Sequence, residues 1–398
     1  MLVIGLIREE KIPSDNRVAL TPSQCKELQL KYSNIKIIVQ QSKHRCFKDS
    51  EYIQAGIEVT EDMSHCSLLL GIKEVSIEAL IPNKTYLFFS HTKKQQPHNK
   101  NLLKAIIKNN ITLIDYECLE HEDGQRIIGF GFFAGIVGAH NGIMAYGERT
   151  KLFHLPRVYH SKDYRALIRH YFGLKLPNIK IAITGSGRVA HGIVEVMNLM
   201  GVHEVEPDEY LERNFVYPVY VQLKGADLYT HTTLKNYSRQ HFHNNATEYR
   251  SRFLPYTRCT DILMNGIYWD ETIPRLFERS DIDDSFTIQI IADITDDALG
   301  SVPINLGDVS IENPIYGVDK NTFEKTIPYQ PNGIDIMAVG NLPNELPRDA
   351  STYFGKQIIK YLFEDLILGG NAIIDRATIV KNGSLTPTFE YLRSYSKG

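Results

Sequence analysis

The chain is predicted to be an α/β protein of two Rossmann-like parallel-sheet domains with a cleft between them, the first domain discontinuous. Three observations predict this. Short apolar runs alternate with amphipathic stretches along most of the 398 residues, which implies largely parallel sheets covered on both faces. The run Ile179-Lys-Ile-Ala-Ile-Thr184 breaks at Gly185-Ser-Gly187, and Ile193, Val194, Val196, Met197 and Met200 then share one helical face. That change of period reads as strand, tight turn and helix. The length also exceeds one ordinary core. The expected division is 1–137 with 343–398 as one domain and 138–342 as the other.

In chain order, residues 2–7 read as a strand, and Thr21 with Pro22 as the N-cap and first position of a helix. Residues 35–40 follow as a strand and 49–55 as a helix. The runs 67–72 and 85–90 are strand-like and end at Lys73 and His91; 102–109 is helical and 111–116 is another strand. Glycines at 129, 131, 135, 138 and 142 then crowd a segment that either packs against another backbone or approaches a ligand, and a long helix is expected from about Ala134. Beyond the glycine turn, strands at 261–264 and 286–292 lead to Asn265 and Asp293. Ligands of doubly wound sheets lie beyond the carboxyl ends of strands, so 265–268 and 293–297 are expected to line the cofactor crevice. Residues 211–258, polar and aromatic-rich, are too long for a structureless loop and read as an insertion with helical parts. Residues 349–368 and 371–380 read as amphipathic helices returning to the first domain.

The chemistry begins at the turn. Gly185 allows the sharp bend, Gly187 admits a pyrophosphate, and the helix N-terminus offers unpaired donors and a positive dipole end. The spacing to Gly192 is GxGxxxxG rather than GxGxxG. The next predicted strand, 202–205, is followed by Glu206 and Asp208, roughly twenty residues beyond Gly187, where a Rossmann unit holds the adenosine ribose. Acids there would repel a 2′-phosphate, so NAD is expected over NADP. In the first domain Arg17, Lys73, His91 and Arg126 stand in turns or at strand ends, all toward the carboxyl edge of a parallel sheet. A guanidinium at Arg17 suits bidentate capture of a carboxylate.

Composition narrows the partners. A net charge of −3 and a pI near 6.5 leave no basic footprint for nucleic acid or anionic membrane and favour a small molecule. No apolar run reaches the length of a membrane span, and Met1 leads directly into a strand-like run, so a cytoplasmic protein is expected. Five cysteines without a CxxC pair read as reduced thiols. The densest histidine cluster, His231, His241 and His243, lacks a supporting carboxylate pattern, so no metal is expected.

Four stretches carry a family resemblance: Arg17-Val-Ala-Leu-Thr-Pro22; Lys73 with His91-Thr-Lys-Lys-Gln-Gln96; Gly124-Gln-Arg-Ile-Ile-Gly-Phe-Gly-Phe-Phe-Ala-Gly135; and Asn341-Leu-Pro-Asn-Glu-Leu-Pro-Arg-Asp-Ala-Ser351. With them the whole chain resembles the superfamily of alanine dehydrogenase, pyridine nucleotide transhydrogenase and lysine-forming saccharopine dehydrogenase, the last most of all. The resemblance implies that Lys73 and His91 are an acid/base pair with Asp297 in the catalytic set. It implies that Arg17 and Arg126 bind substrate carboxylates and that Gln96, Phe130, Thr295 and Asp296 contact substrate. Implied cofactor contacts are Gly185, Gly187, Arg188, Asp208, Tyr268, Ile294, Asn341 and Leu342. Fungal relatives carry a cysteine pair where this chain has Val189 and Gly266, so a disulfide there is excluded; Gln125 stands where a second arginine is expected.

The implied activity is NAD-dependent oxidation of a secondary-amine amino acid: saccharopine, NAD+ and water give lysine, 2-oxoglutarate and NADH, or a related opine-type amine reacts. Such a reaction needs a base that can be neutral, hence a lysine with lowered pKa, and a second proton shuttle such as histidine. An alanine dehydrogenase-like enzyme is the first alternative and a non-catalytic NAD-binding regulator or transhydrogenase-type protein the second. The expected partner is an amino acid or keto acid, and the expected state a monomer or small homo-oligomer.

Overall fold

The computed structural model describes residues 1–122, 124–369 and 372–397. It divides into two compact units, one of Met1–Phe130 with Pro347–Gly398 and one of Gly131–Leu346. Among the described residues, no helix is long and apolar enough to cross a membrane.

Unit 1 is built on an eight-stranded sheet ordered Ser384–Leu385, Thr378–Lys381, Thr112–Asp115, Thr85–Phe88, Leu68–Leu70, Leu2–Leu6, Ile35–Gln40 and Glu58–Thr60. The six strands from Thr112–Asp115 to Glu58–Thr60 are parallel. Leu68-Leu-Leu70 is buried at every position, as expected of a strand covered on both faces. The first helix, Pro22–Lys31, opens on a capping box: Thr21 Oγ1 accepts the Gln24 N–H at 3.3 Å, and Gln24 Oε1 accepts the Thr21 N–H at 2.9 Å. The helix Pro347–Tyr361 closes over this region, its Ser351 Oγ accepting the Val18 N–H at 2.9 Å.

The tail corrects one expectation. Residues 371–380 were expected to be helical throughout; Asn371 lies outside the described residues, Ala372–Ala377 is helical, and Thr378–Lys381 is a strand. Its β-branched run Thr-Ile-Val pairs antiparallel with Thr112–Asp115, which ends the parallel part of the sheet.

Unit 2 has a second eight-stranded sheet, ordered Lys325–Thr326, Ile315–Asp319, Gly333–Met337, Ile290–Asp293, Ile262–Asn265, Lys180–Thr184, Val219–Leu223 and His203–Glu204. The strands from Gly333–Met337 to His203–Glu204 are parallel. The expected insertion at 211–258 therefore contains a strand of the sheet, next to its edge. Val219–Leu223 pairs with Lys180–Thr184 through its whole length, and its interleaved Tyr220 and Gln222 hide it from a search for apolar runs. What stands outside the sheet is a hairpin of Tyr229–His231 and Tyr249–Ser251 with the short helix Arg239–Asn244 between, packed by Tyr229, Phe242 and Tyr249.

The glycine-rich segment is a helix, Gly131–Thr150, which starts earlier than Ala134 and lies within unit 2 rather than being split at residue 137. It crosses Arg188–Leu199 at backbone contact. A Cβ on Gly135 would lie 2.0 Å from the Val189 carbonyl oxygen, and one on Gly192 would lie 2.0 Å from the Phe132 carbonyl oxygen. The glycines at 135 and 192 serve helix packing.

Candidate active site

In unit 1 the strand order builds outward from Leu2–Leu6 to Glu58–Thr60 and then resumes at Leu68–Leu70 on the other side of the first strand. At such a reversal the connections leave in opposite directions and open a crevice at the carboxyl ends. Glu9 and Lys73 lie just beyond these two strands. The Glu9 carboxylate accepts the backbone N–H groups of Ile72 at 2.7 Å and Lys73 at 2.8 Å, tying the strand ends together. Burial, and then the charge of Asp15, push the Glu9 carboxyl up to about 8.

Burial is also the main reason that the Lys73 ammonium falls to about 8, with the Arg17 guanidinium second. Arg17 is buried, and its Nε and Nη2 donate to the two Asp15 carboxylate oxygens at 2.9 and 2.6 Å. Burial opposes a charge on Asp15, but Arg17 outweighs it and holds the carboxyl at about 2. The guanidinium lies 4.2 Å over the Phe130 ring, which stacks on Phe354 at 4.3 Å and 13°. Packed aromatics thus fix the plane of a guanidinium whose Nε and Nη2 edge holds the Asp15 carboxylate.

His91 leaves its strand with φ of +50°, and its Nδ1 lies 2.7 Å from Glu74 Oε1. Lys11 meets the other Glu74 oxygen at 2.9 Å. Burial raises the Glu74 carboxyl, but His91 and Lys11 outweigh it and hold it well below the usual range. A carboxylate can only accept, so Nδ1 carries its proton here and Nε2 is the ring atom left for proton transfer. Gln96 is half-buried, and Arg126 is exposed with its guanidinium donating to Glu117 at 2.9 Å.

Unit 1 thus gathers Arg17, Lys73 and Phe130, and pairs His91 with Glu74. Sequence reasoning missed Glu9, Asp15 and Glu74. Each has a signal: an acid two residues after a predicted strand, an acid two residues before Arg17, and an acid beside Lys73.

In unit 2, Gly185 has φ of +103° and a Cβ there would lie 2.8 Å from the Gly266 carbonyl oxygen, so both the bend and the close approach require glycine. Gly187 is the N-cap of Arg188–Leu199 and faces open space. The neighbouring strand ends are joined by buried hydrogen bonds: Thr184 Oγ1 to Asn265 Oδ1 at 2.6 Å, and Asn265 Nδ2 to Asp293 Oδ1 at 2.9 Å and Ser301 Oγ at 2.8 Å. Thr295 and Asn305 also donate to Asp293, at 2.7 and 2.8 Å. Burial raises the Asp293 carboxyl.

This network is the base of the loop with Ile294, Thr295, Asp296 and Asp297. Ile294 fits against Gly138, where a Cβ would lie 2.4 Å from it and 3.4 Å from Leu342. Asp296 has φ of +57°, and burial followed by the charge of Asp308 pushes its carboxyl up to about 8. The Asp297 carbonyl accepts the Gly300 N–H at 2.9 Å, Asn341 caps the turn Leu342–Glu345, Arg188 opens its helix and Tyr268 is exposed.

Asp208 does not stand where a ribose acid was expected. Val219–Leu223, not His203–Glu204, lies beside Lys180–Thr184, and the register sets Leu223 opposite Thr184. The residue arriving at the height of the glycine turn is therefore Lys224, while Asp208 is exposed on the helix Pro207–Glu212 beyond the next strand. Sequence order placed the acid; sheet order removes it.

The histidine cluster does have a carboxylate: ligand atoms of His231, His241 and Glu248 lie within 4.8 Å of one another, without His243. Yet His231 Nδ1 accepts the N–H groups of Thr233 and Leu234 at 3.1 Å each. Its proton therefore sits on Nε2, 3.1 Å from Glu248, and a protonated nitrogen has no lone pair for a metal.

Comparison with known proteins bears on the family and the fold. Residues 5–137 match the family described as alanine dehydrogenase/PNT, N-terminal domain. The chain is 30% identical over 448 residues to the mitochondrial alpha-aminoadipic semialdehyde synthase of Mus musculus, an alignment covering 98% of this chain and 47% of that protein. The chain thus spans about half the length of that relative. It is 26% identical over 380 residues to the saccharopine dehydrogenase (NAD+, L-lysine-forming) of Candida glabrata, covering 89% of this chain and 90% of that one. Among solved structures an L-alanine dehydrogenase, 14% identical, matches with a TM-score of 0.65 over 98% of this chain and 99% of its own, and shows the fold. Residues 5–137 thus match the alanine dehydrogenase/PNT N-terminal domain, and the chain has saccharopine dehydrogenases among its relatives.

Proposed function

We propose that the chain is a nicotinamide-dinucleotide-dependent oxidoreductase acting on the CH–NH group of a saccharopine-type secondary-amine amino acid. The observation that carries this is Lys73, a lysine brought down to about 8 beside a buried Arg17, with a carboxylate-oriented His91 in the same unit. Bound dinucleotide would supply the hydride acceptor. Neutral Lys73 takes the proton of the amine nitrogen as hydride leaves the adjacent carbon, giving an imine. His91 moves protons as water adds and the carbon–nitrogen bond breaks, releasing a primary amine and a 2-oxo acid. Arg17 is the candidate for one substrate carboxylate, which would share the guanidinium with Asp15, and Arg126 is the candidate for a second.

The dinucleotide would sit at Gly185, Gly187 and Arg188, with Ile294, Thr295, Asp297, Tyr268, Asn341 and Leu342 toward its nicotinamide end. The donor set fits: open space at Gly187, ahead of a helix N-terminus, suits a pyrophosphate. NAD is supported by relatives named as NAD+ enzymes, whereas Lys224 beside the turn suits a 2′-phosphate. We therefore expect NADPH to be accepted alongside NADH. Asp208→Asn should leave the KM for either coenzyme within about twofold, since loss of a ribose contact would cost about 1 kcal/mol or more. A tenfold rise for NADH would restore the acid to the ribose.

The test of the activity is coenzyme oxidation with 2-oxoglutarate and lysine against pyruvate and ammonia. The first pair should turn over. Preference for the second would make this an alanine dehydrogenase-like enzyme, and silence across a panel of keto acids and amines would leave a binding protein.

A further inference from the structure

Residues 91–96 run irregularly between the strand Thr85–Phe88 and the turn Pro97–Asn99, and both His91 and Gln95 hold left-handed backbone, with φ of +50° and +55°. Such conformations are costly at non-glycine residues and persist only where the surroundings impose them. The root of the loop is held from within the sheet. The Ser90 N–H donates to Asp115 Oδ2 at 3.0 Å, and the hydroxyls of Ser90 and Thr92 lie 2.8 Å apart. Within the loop the Gln95 N–H turns back onto the Thr92 carbonyl at 2.9 Å.

The outer part is reached from the far end of the chain. Tyr391 donates its hydroxyl to the Lys93 carbonyl at 2.9 Å across 298 residues, and Tyr395 donates to the Gln96 carbonyl across 299. Tyr395 is only 9% exposed, and its helix, Arg393–Lys397, packs on Lys100–Lys108. Both contacts are to main-chain carbonyls, so they set the path of the loop and leave its side chains for other work.

We propose that the C-terminal segment is a latch on this loop, and that Tyr391 and Tyr395 are positioning residues for the amino-acid or keto-acid subsite that Gln96 serves. This rests on the functional reading given above. Neither hydroxyl is required to touch substrate. Each acts through the backbone, so the expected effect is on substrate affinity rather than on the coenzyme turn, which belongs to unit 2.

The experiment compares the full chain with Tyr391→Phe, Tyr395→Phe and the double variant, which keep both rings and lose only the hydroxyls. Hydrogen exchange of amides 92–96, 98 and 99 is measured alongside steady-state kinetics with the active pair from the substrate panel. In the double variant, loop exchange should rise about tenfold or more, with the strands Leu68–Leu70 and Thr85–Phe88 unchanged. KM for the amine or keto acid should rise several-fold, with kcat and the coenzyme KM within about twofold. Unchanged loop exchange overturns the latch. Raised exchange with an unchanged substrate KM overturns the positioning role. If the unaltered protein is silent on every substrate, the functional reading fails, while loop exchange still decides the latch.

Discussion

Lys73→Met should lower kcat by about 10²–10⁴-fold, the usual contribution of a positioned general base, and should leave the coenzyme dissociation constant unchanged. In the direction of amine oxidation, kcat/KM of the unaltered protein should fall as pH drops below about 8, because burial and Arg17 bring the ammonium to that value and only the neutral amine accepts a proton. The same substitution should raise Tm. A lysine whose folded pKa is lowered binds fewer protons folded than unfolded between its folded value and the ordinary 10.5, so stability is lost as pH falls through that window and the cost is fully present below about 8. Methionine removes the cost. Normal turnover in Lys73→Met would sink the assignment, and a lower Tm would show that Lys73 holds the fold rather than straining it.

Gly187→Ala and Gly192→Ala should separate a ligand-facing glycine from a packing glycine. Gly187 has φ of −89° and no atom within 4 Å of its would-be Cβ. The alanine protein should fold with an unchanged Tm and lose coenzyme affinity by roughly tenfold or more, about 1.4 kcal/mol, because the methyl takes the space a pyrophosphate would use. At Gly192 the added carbon would sit 2.0 Å from the Phe132 carbonyl oxygen. Overpacking of that kind costs about 3 kcal/mol or more, so Tm should fall steeply. Thermal denaturation and coenzyme titration of the two variants decide both claims. Equal Tm losses, or equal affinity losses, would contradict the division.

Much of the site lies in elements the sequence marks locally. Lys73 and His91 follow apolar runs too short and too rich in Leu and Phe to be anything but buried strands, and Gly185 with Gly187 breaks a run at a change of period. Their partners were harder to see. Glu9, Asp15 and Glu74 stand close to marked positions, but their spacing does not say which of them will cap a strand end and which will be buried beside a guanidinium. Asp208 shows the opposite failure: a correct local pattern, a short strand followed by an acid, was assigned to a place in the sheet that another strand occupies.

By itself the sequence determined the α/β class, the strand–turn–helix at residues 179–201 and the residues that end several strands, because period, breakers and caps act over a few residues of contiguous chain. Tertiary structure alone decided which strand lies beside which. It set Val219–Leu223, and with it Lys224, next to the glycine turn, and it carried the C-terminal strand and the tyrosine hydroxyls back to elements near the start. The physical reason is that strand order and buried ion pairs are settled by surfaces meeting across hundreds of residues. Those surfaces leave no mark in the local pattern of either segment.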